Sequence, residues 1–182
     1  MPTRLHAARL VVLLAITPLV LTACSGAGNA ASSGATTTPS SSLSATSDSP
    51  MTISPAVERP STRGAAETFT GQVDVTPLTE ASADITASAA EVAFSPGARS
   101  AWHTHPAGQS LIVTDGVGWV QVRGEECRDI TAGDVVWTPA GVEHWHGATA
   151  EAGMTHLALT GVLDGDNAEW GDLVSDEEYL GR

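Results

Sequence analysis

Five of the six histidines in this 182-residue chain fall between His103 and His156. Two pairs share the spacing His-x-His: His103 with His105, and His144 with His146. On an extended strand residues i and i+2 project from one face, so each pair can aim two imidazoles at one point. Neutral imidazole is the commonest protein ligand for transition metals, and two such pairs imply one metal site. Trp102 and Trp145 flank the histidines and are expected to point to the opposite face.

The elements that must position these side chains read as short strands. Phe69–Val75, Ala83–Phe94, Ser110–Thr114, Val117–Arg123, Asp129–Thr131, Val135–Thr138, Glu143–Ala148 and Met154–Gly161 carry strand-forming residues between turn signals. Asp115-Gly116 reads as a tight hairpin between two of them. Many short strands at regular spacing imply an all-β sandwich or barrel. Ser175 followed by Glu178 is a capping box that opens a short C-terminal helix through Leu180. Alternation around the charged Glu91 turns Ala90, Val92 and Phe94 inward. In the last strand His156 shares a face with Ala158 and Thr160, a polar face for a core strand.

The N-terminus sets the cellular context. Arg4 and Arg9 precede the apolar run Leu10–Leu21, which is shorter than the ~20 residues of a stable membrane span. It has the layout of a signal peptide over residues 1–23. The closing Leu21-Thr22-Ala23-Cys24 resembles a bacterial lipobox, which implies cleavage before Cys24 and lipid modification of that cysteine. The expected location is therefore the bacterial cell envelope, with the protein exported and anchored to a membrane as a lipoprotein. Residues 24–65 are dominated by Ser, Thr, Ala, Gly and Pro and are expected to form a flexible linker, leaving one domain over 66–182. The chain has no lysine and a net charge of −13, so no basic patch for nucleic acid exists. With Cys24 lipidated, Cys127 is left alone and reads as a small buried residue.

Gly97, His103, His105, Gln109 and Gly116 follow the pattern G-x5-H-x-H-x3-Q-x6-G. After sixteen intervening residues, Gly133, Pro139, Gly141 and His144 follow G-x5-P-x-G-x2-H. The pair resembles the two cupin motifs, with Gln109 where many cupins carry Glu and Ala148 where the second motif ends in Asn. That resemblance implies a single-domain jelly-roll β-barrel, often a homo-oligomer, with a metal in its mouth. Carried over residue by residue, the ligands are His103, His105, Gln109 and His144. The stretches 69–78, 96–121, 133–148, 154–159 and 163–180 further resemble the bacterial manganese-dependent cupin hydroxynitrile lyases, in which the Gln ligand and the Ala are ordinary. The resemblance implies cleavage of a cyanohydrin to an aldehyde and HCN.

An amide ligand cancels none of the metal's charge, so three His and one Gln keep the full +2 for Lewis-acid work. Manganese is expected by resemblance, and Fe, Zn, Co or Ni also suit such donors. His146 and His156 are the candidate proton carriers, since a neighbouring cation disfavours their charged forms. The alternative for each is a hydrogen-bonded core histidine. Ala90, Val92 and Thr160 are the candidate walls of the substrate pocket. Two other functions stay open for this donor set: a metal-dependent oxygenase, and an exported cupin that binds a small molecule or metal without turnover.

Overall fold

A computed structural model describes residues 51–181. The signal segment 1–23, Cys24 and the linker up to residue 50 lie outside the described residues. After a 3-10 turn at Ala56–Glu58 come β1 (Thr62–Arg63), β2 (Phe69–Thr70), β3 (Val73–Thr79), β4 (Ala87–Phe94), β5 (Arg99–Ser100) and β6 (His103–Thr104). Then follow β7 (Gln109–Val122), β8 (Arg128–Thr131), β9 (Val135–Thr138), β10 (His144–Ala148), β11 (Met154–Gly161), β12 (Glu169–Trp170) and α1 (Asp176–Leu180).

All pairings between these strands are antiparallel, and they form one curled sheet with two halves. The first half runs β1-β3-β4-β11-β7, with β9 on the other side of β7. The second runs from β7 through β10 and β5 to β2, with β8 on β7 and with β6 and β12 beyond β10. β7 belongs to both. Its residues Gln109–Ile112 pair with β9, and Val117–Val120 pair with β8.

This corrects the hairpin expected at Asp115-Gly116. The chain continues as a single strand of 14 residues and shifts register against β11 between Thr155 and His156. Gly116 has φ 74, and a Cβ there would lie 2.0 Å from the Gly153 carbonyl oxygen. Glycine thus lets the strand bulge and cross from one half of the sheet to the other. Two expected strand bounds also move. The stretch Phe69–Val75 is divided at Gly71-Gln72 into β2 and β3. The strand expected from Ala83 starts at Ala87, because the Ser82 side chain accepts from the amides of Asp84 and Ile85 and holds a turn. Thr62–Arg63, inside the stretch 24–65 expected to be linker, pair with Val75 and Asp74 and add an edge to β3.

Two cores result from strand alternation. Inside the curl, Val73, Val92, Phe94, Val113, Val120 and Met154 pack together, and Glu91 faces out. On the outer side of β10, Trp102, Trp119 and Trp145 pack with Val174 and Tyr179. Each such side chain contributes about 1.5–3 kcal/mol by leaving water. The capping box of α1 is present, with the Ser175 side chain accepting from the Glu178 amide. It sets Tyr179 so that its hydroxyl donates to the Ala148 carbonyl at 2.9 Å. Arg99 donates twice to the Val174 carbonyl, at 3.0 and 2.8 Å, and lies 4.5 Å over the Tyr179 ring. Cys127 is half-buried against this second core.

Candidate metal centre

His103 and His144 lie opposite each other in the pairing of β6 with β10, and their ring centroids are 4.3 Å apart. β10 is buried on both faces, with His144 and His146 on one and Trp145 on the other. His105 follows β6, just before Pro106, which carries no N–H and cannot continue the ladder. Its ring centroid lies 4.9 Å from that of His103 and 5.4 Å from that of His144. Gln109 opens β7 opposite Thr160 of β11. His156, also on β11, meets His146 edge to face at 4.8 Å. The structure thus gathers all five histidines and Gln109 on the inner side of the curl.

By donor proximity alone the tightest triple is His103, His144 and His146, whose ring nitrogens lie within 4.8 Å of one another. Hydrogen bonding divides the five rings differently. Nδ1 of His103 is 2.9 Å from the Ala101 carbonyl oxygen, Nδ1 of His144 is 3.0 Å from that of Val142, and Nδ1 of His105 is 2.5 Å from that of Asn167. A carbonyl only accepts, so these three rings carry their proton on Nδ1 and leave Nε2 bare. The buried Nε2 of His105 and of His144 have no hydrogen-bond partner, and neither has Oε1 of Gln109. Nε2 of Gln109 donates to Thr160 Oγ1 at 3.2 Å, which leaves that oxygen as the free end of the amide. His146 instead spends its Nδ1 on Nε2 of His156, at 3.2 Å.

Unpaired buried acceptors cost about 1–3 kcal/mol each. Collecting them on two imidazoles and an amide makes sense if a cation satisfies them together, so the donor set fits a divalent transition metal. Electrostatics agrees. Burial lowers His144 and His156 to about 4 and holds His105 below its ordinary value. Burial and then the neighbouring imidazoles hold His103 and His146 well below theirs. All five rings are therefore neutral near pH 7, the form that binds metal and accepts protons.

A cavity of ≈ 220 Å³ opens onto this cluster. His103, His105, Gln109, His146 and His156 line it, as do Ala90, Val92 and Thr160. Phe69, Val75, Ala158, Asn167, Ala168 and Trp170 complete the wall, and of these only Ala158 lies on a face picked out by strand alternation. Trp170 pairs with His103 through β12 and tilts over its ring at 4.8 Å.

A family model for the cupin domain matches residues 90–159, which span β4 to β11. A Granulicella tundricola protein named (R)-mandelonitrile lyase is 50% identical over 117 residues, 64% of this chain and 89% of the relative. The chain belongs to the cupin family. Among solved cupins, a cupin-like protein of Thermotoga maritima superposes with TM-score 0.65 at 39% identity, over 70% of this chain and 96% of that one. A second Thermotoga maritima protein, described as a predicted oxalate decarboxylase, gives TM-score 0.55 at 23% identity, over 62% of this chain and all of its own. That second likeness is one of fold. As a cupin, the chain carries its three-histidine cluster inside the jelly roll, where it is compatible with a metal.

Proposed function

We propose that this cupin is a metal-dependent lyase that cleaves cyanohydrins to an aldehyde and hydrogen cyanide. His103, His105, Gln109 and His144 hold the metal, and manganese is its resident ion. The observation that carries the reaction is the 50% identity to a relative named (R)-mandelonitrile lyase, across nearly all of that relative's length. When bound, the cation supplies positive charge where oxygen or departing cyanide becomes negative.

The chain's own residues handle the proton and the solvent. His146 and His156 share one hydrogen bond, so one ring donates to the other. In either arrangement one ring of the pair keeps a bare nitrogen, and burial keeps both rings neutral. That nitrogen takes the hydroxyl proton of the substrate as the C–C bond breaks. The bonding electron pair leaves on the nitrile carbon, which takes up a proton as HCN, and the aldehyde remains. No oxidant enters the balance. Phe69, Val75, Ala90, Val92, Ala158 and Trp170 give the cavity apolar walls that keep water from the reacting centre.

The test is benzaldehyde release from racemic mandelonitrile by the full chain, metal-free and manganese-loaded, against a buffer background. Metal-dependent release supports the proposal. Protein with measured metal and no release overturns it. We also propose export and lipid anchoring through Cys24, on the strength of Arg4, Arg9, the apolar run and Leu21-Thr22-Ala23-Cys24. Incorporation of a labelled fatty acid that is lost in Cys24→Ser checks it. A homo-oligomer is proposed on the family resemblance, and sedimentation tests it.

A further inference from the structure

Gln109 is the one member of the proposed ligand set that has two chemically different ends. Turned one way its amide offers Oε1, a metal ligand. Turned the other way it offers an NH2 group, which repels a cation and donates to bare imidazole nitrogens. Two such nitrogens, Nε2 of His105 and Nε2 of His144, are buried nearby without partners. A glutamine left to itself in this cluster would turn its NH2 group onto them and close the site.

Thr160 stands directly opposite Gln109 in the pairing of β11 with β7. Both residues are buried, at 6% and 5% exposure. The Thr160 hydroxyl accepts the Gln109 Nε2–H at 3.2 Å, and the buried Oε1 has no hydrogen-bond partner. The neighbour of Thr160 along its face of β11 is Ala158, which has no side-chain acceptor. We infer that Thr160 is a positioning residue for the metal site: its hydroxyl occupies the Gln109 amide N–H and thereby presents Oε1 as a ligand. The inference concerns metal capture by this chain and rests on the ligand set proposed above, but not on the reaction.

The experiment is a titration of the metal-free full chain with Mn2+ alone, following the electron paramagnetic resonance signal of free Mn2+. Thr160→Val keeps the shape and removes the acceptor. It is expected to weaken Mn2+ binding at least about tenfold, as loss of a ligand's hydrogen-bond partner does elsewhere. Thr160→Ser restores the hydroxyl and is expected to bind within about twofold of the native chain. With Gln109→Ala already in place, Thr160→Val is expected to change nothing further. Native affinity in Thr160→Val overturns the inference. So does an equal loss in the Gln109→Ala background, which would mean that the hydroxyl acts on the cavity at large. Absence of Mn2+ binding by the native chain overturns it too. A native chain that binds Mn2+ but releases no benzaldehyde overturns the lyase proposal and leaves this one standing.

Discussion

His144, Trp145 and His146 leave one strand in opposite directions, and the two sides of β10 are built on different principles. On the outer side the indoles of Trp145 and Trp102 and the guanidinium of Arg99 are engaged. The Trp145 indole donates to Gln121 at 2.8 Å, the Trp102 indole donates to Glu178 at 3.3 Å, and Arg99 is tied to Val174. On the inner side His105, His144, Gln109 and His156 each keep a buried polar atom with no partner. One face holds the fold together. The other carries a local cost that stays in place because the strand is fastened from behind. A substitution should therefore move either chemistry or stability, according to the face it sits on.

The largest expected effect is on the inner face. His146→Ala and His156→Ala should each lower turnover of a cyanohydrin roughly a hundredfold or more, the usual contribution of general acid–base groups. Mn2+ stoichiometry should stay at the native value, because neither ring is in the proposed ligand set. Steady-state rates together with metal analysis check this. Native turnover in both variants would remove the pair from the mechanism. Loss of metal from His146→Ala would instead favour the triple His103, His144 and His146 as the ligands.

Trp145→Ala is the mirror experiment. Trp145 is fully buried among Trp102, Trp119 and Tyr179, and truncating such a side chain costs about 3–5 kcal/mol. Urea unfolding should show that loss, while the protein that remains folded binds Mn2+ as the native chain does. A weakened metal site with unchanged stability would break the division between the faces.

Much of this division was legible in the sequence, because it rests on period-two alternation. His-x-His put two rings on one face, the intervening Trp145 on the other, and His156 in line with Thr160. What alternation cannot show is a contact made through backbone. His105 is oriented by the carbonyl of Asn167, 62 residues on, and every residue type carries a carbonyl. Turn signals were legible in kind but not in place. Asp164-Gly165 forms a tight turn with φ 54 and 97, closed by hydrogen bonds between Leu163 and Asp166 in both directions. Asp115-Gly116 has the same two residues and no turn. There β11 on one side, with β9 and β8 on the other, hold the chain extended, and the glycine makes a bulge instead. Tertiary pairing decided between two outcomes that the dipeptide allows equally.

Acid offers the finest separation of the two faces, because their titrating groups fall in different windows. Burial holds His156 at about 4 against 6.5. Above pH 6.5 folded and unfolded chains both carry it neutral, and its contribution is complete. As pH falls further, the unfolded chain takes up a proton that the folded one refuses. Stability then drops by about 1.4 kcal/mol per pH unit for this group, and the drop ends near pH 4. His103, His105, His144 and His146 are lowered too and steepen the same decline. Glu178, which caps α1 on the outer face, is lowered mainly by its hydrogen bond from the Ser175 amide. Its contribution is present above the ordinary carboxylate value of 4.5 and is lost only as pH falls below that. Metal-free protein should therefore weaken first through the histidine face, between pH 6.5 and 4.5, and only afterwards through the cap. Urea midpoints across this range check it. His156→Gln should flatten the upper window by one proton, and Glu178→Gln should alter only the slope below it. An unchanged upper slope in His156→Gln would mean that the acid response does not arise at the site, and that the two faces of β10 are less independent than their hydrogen bonds make them.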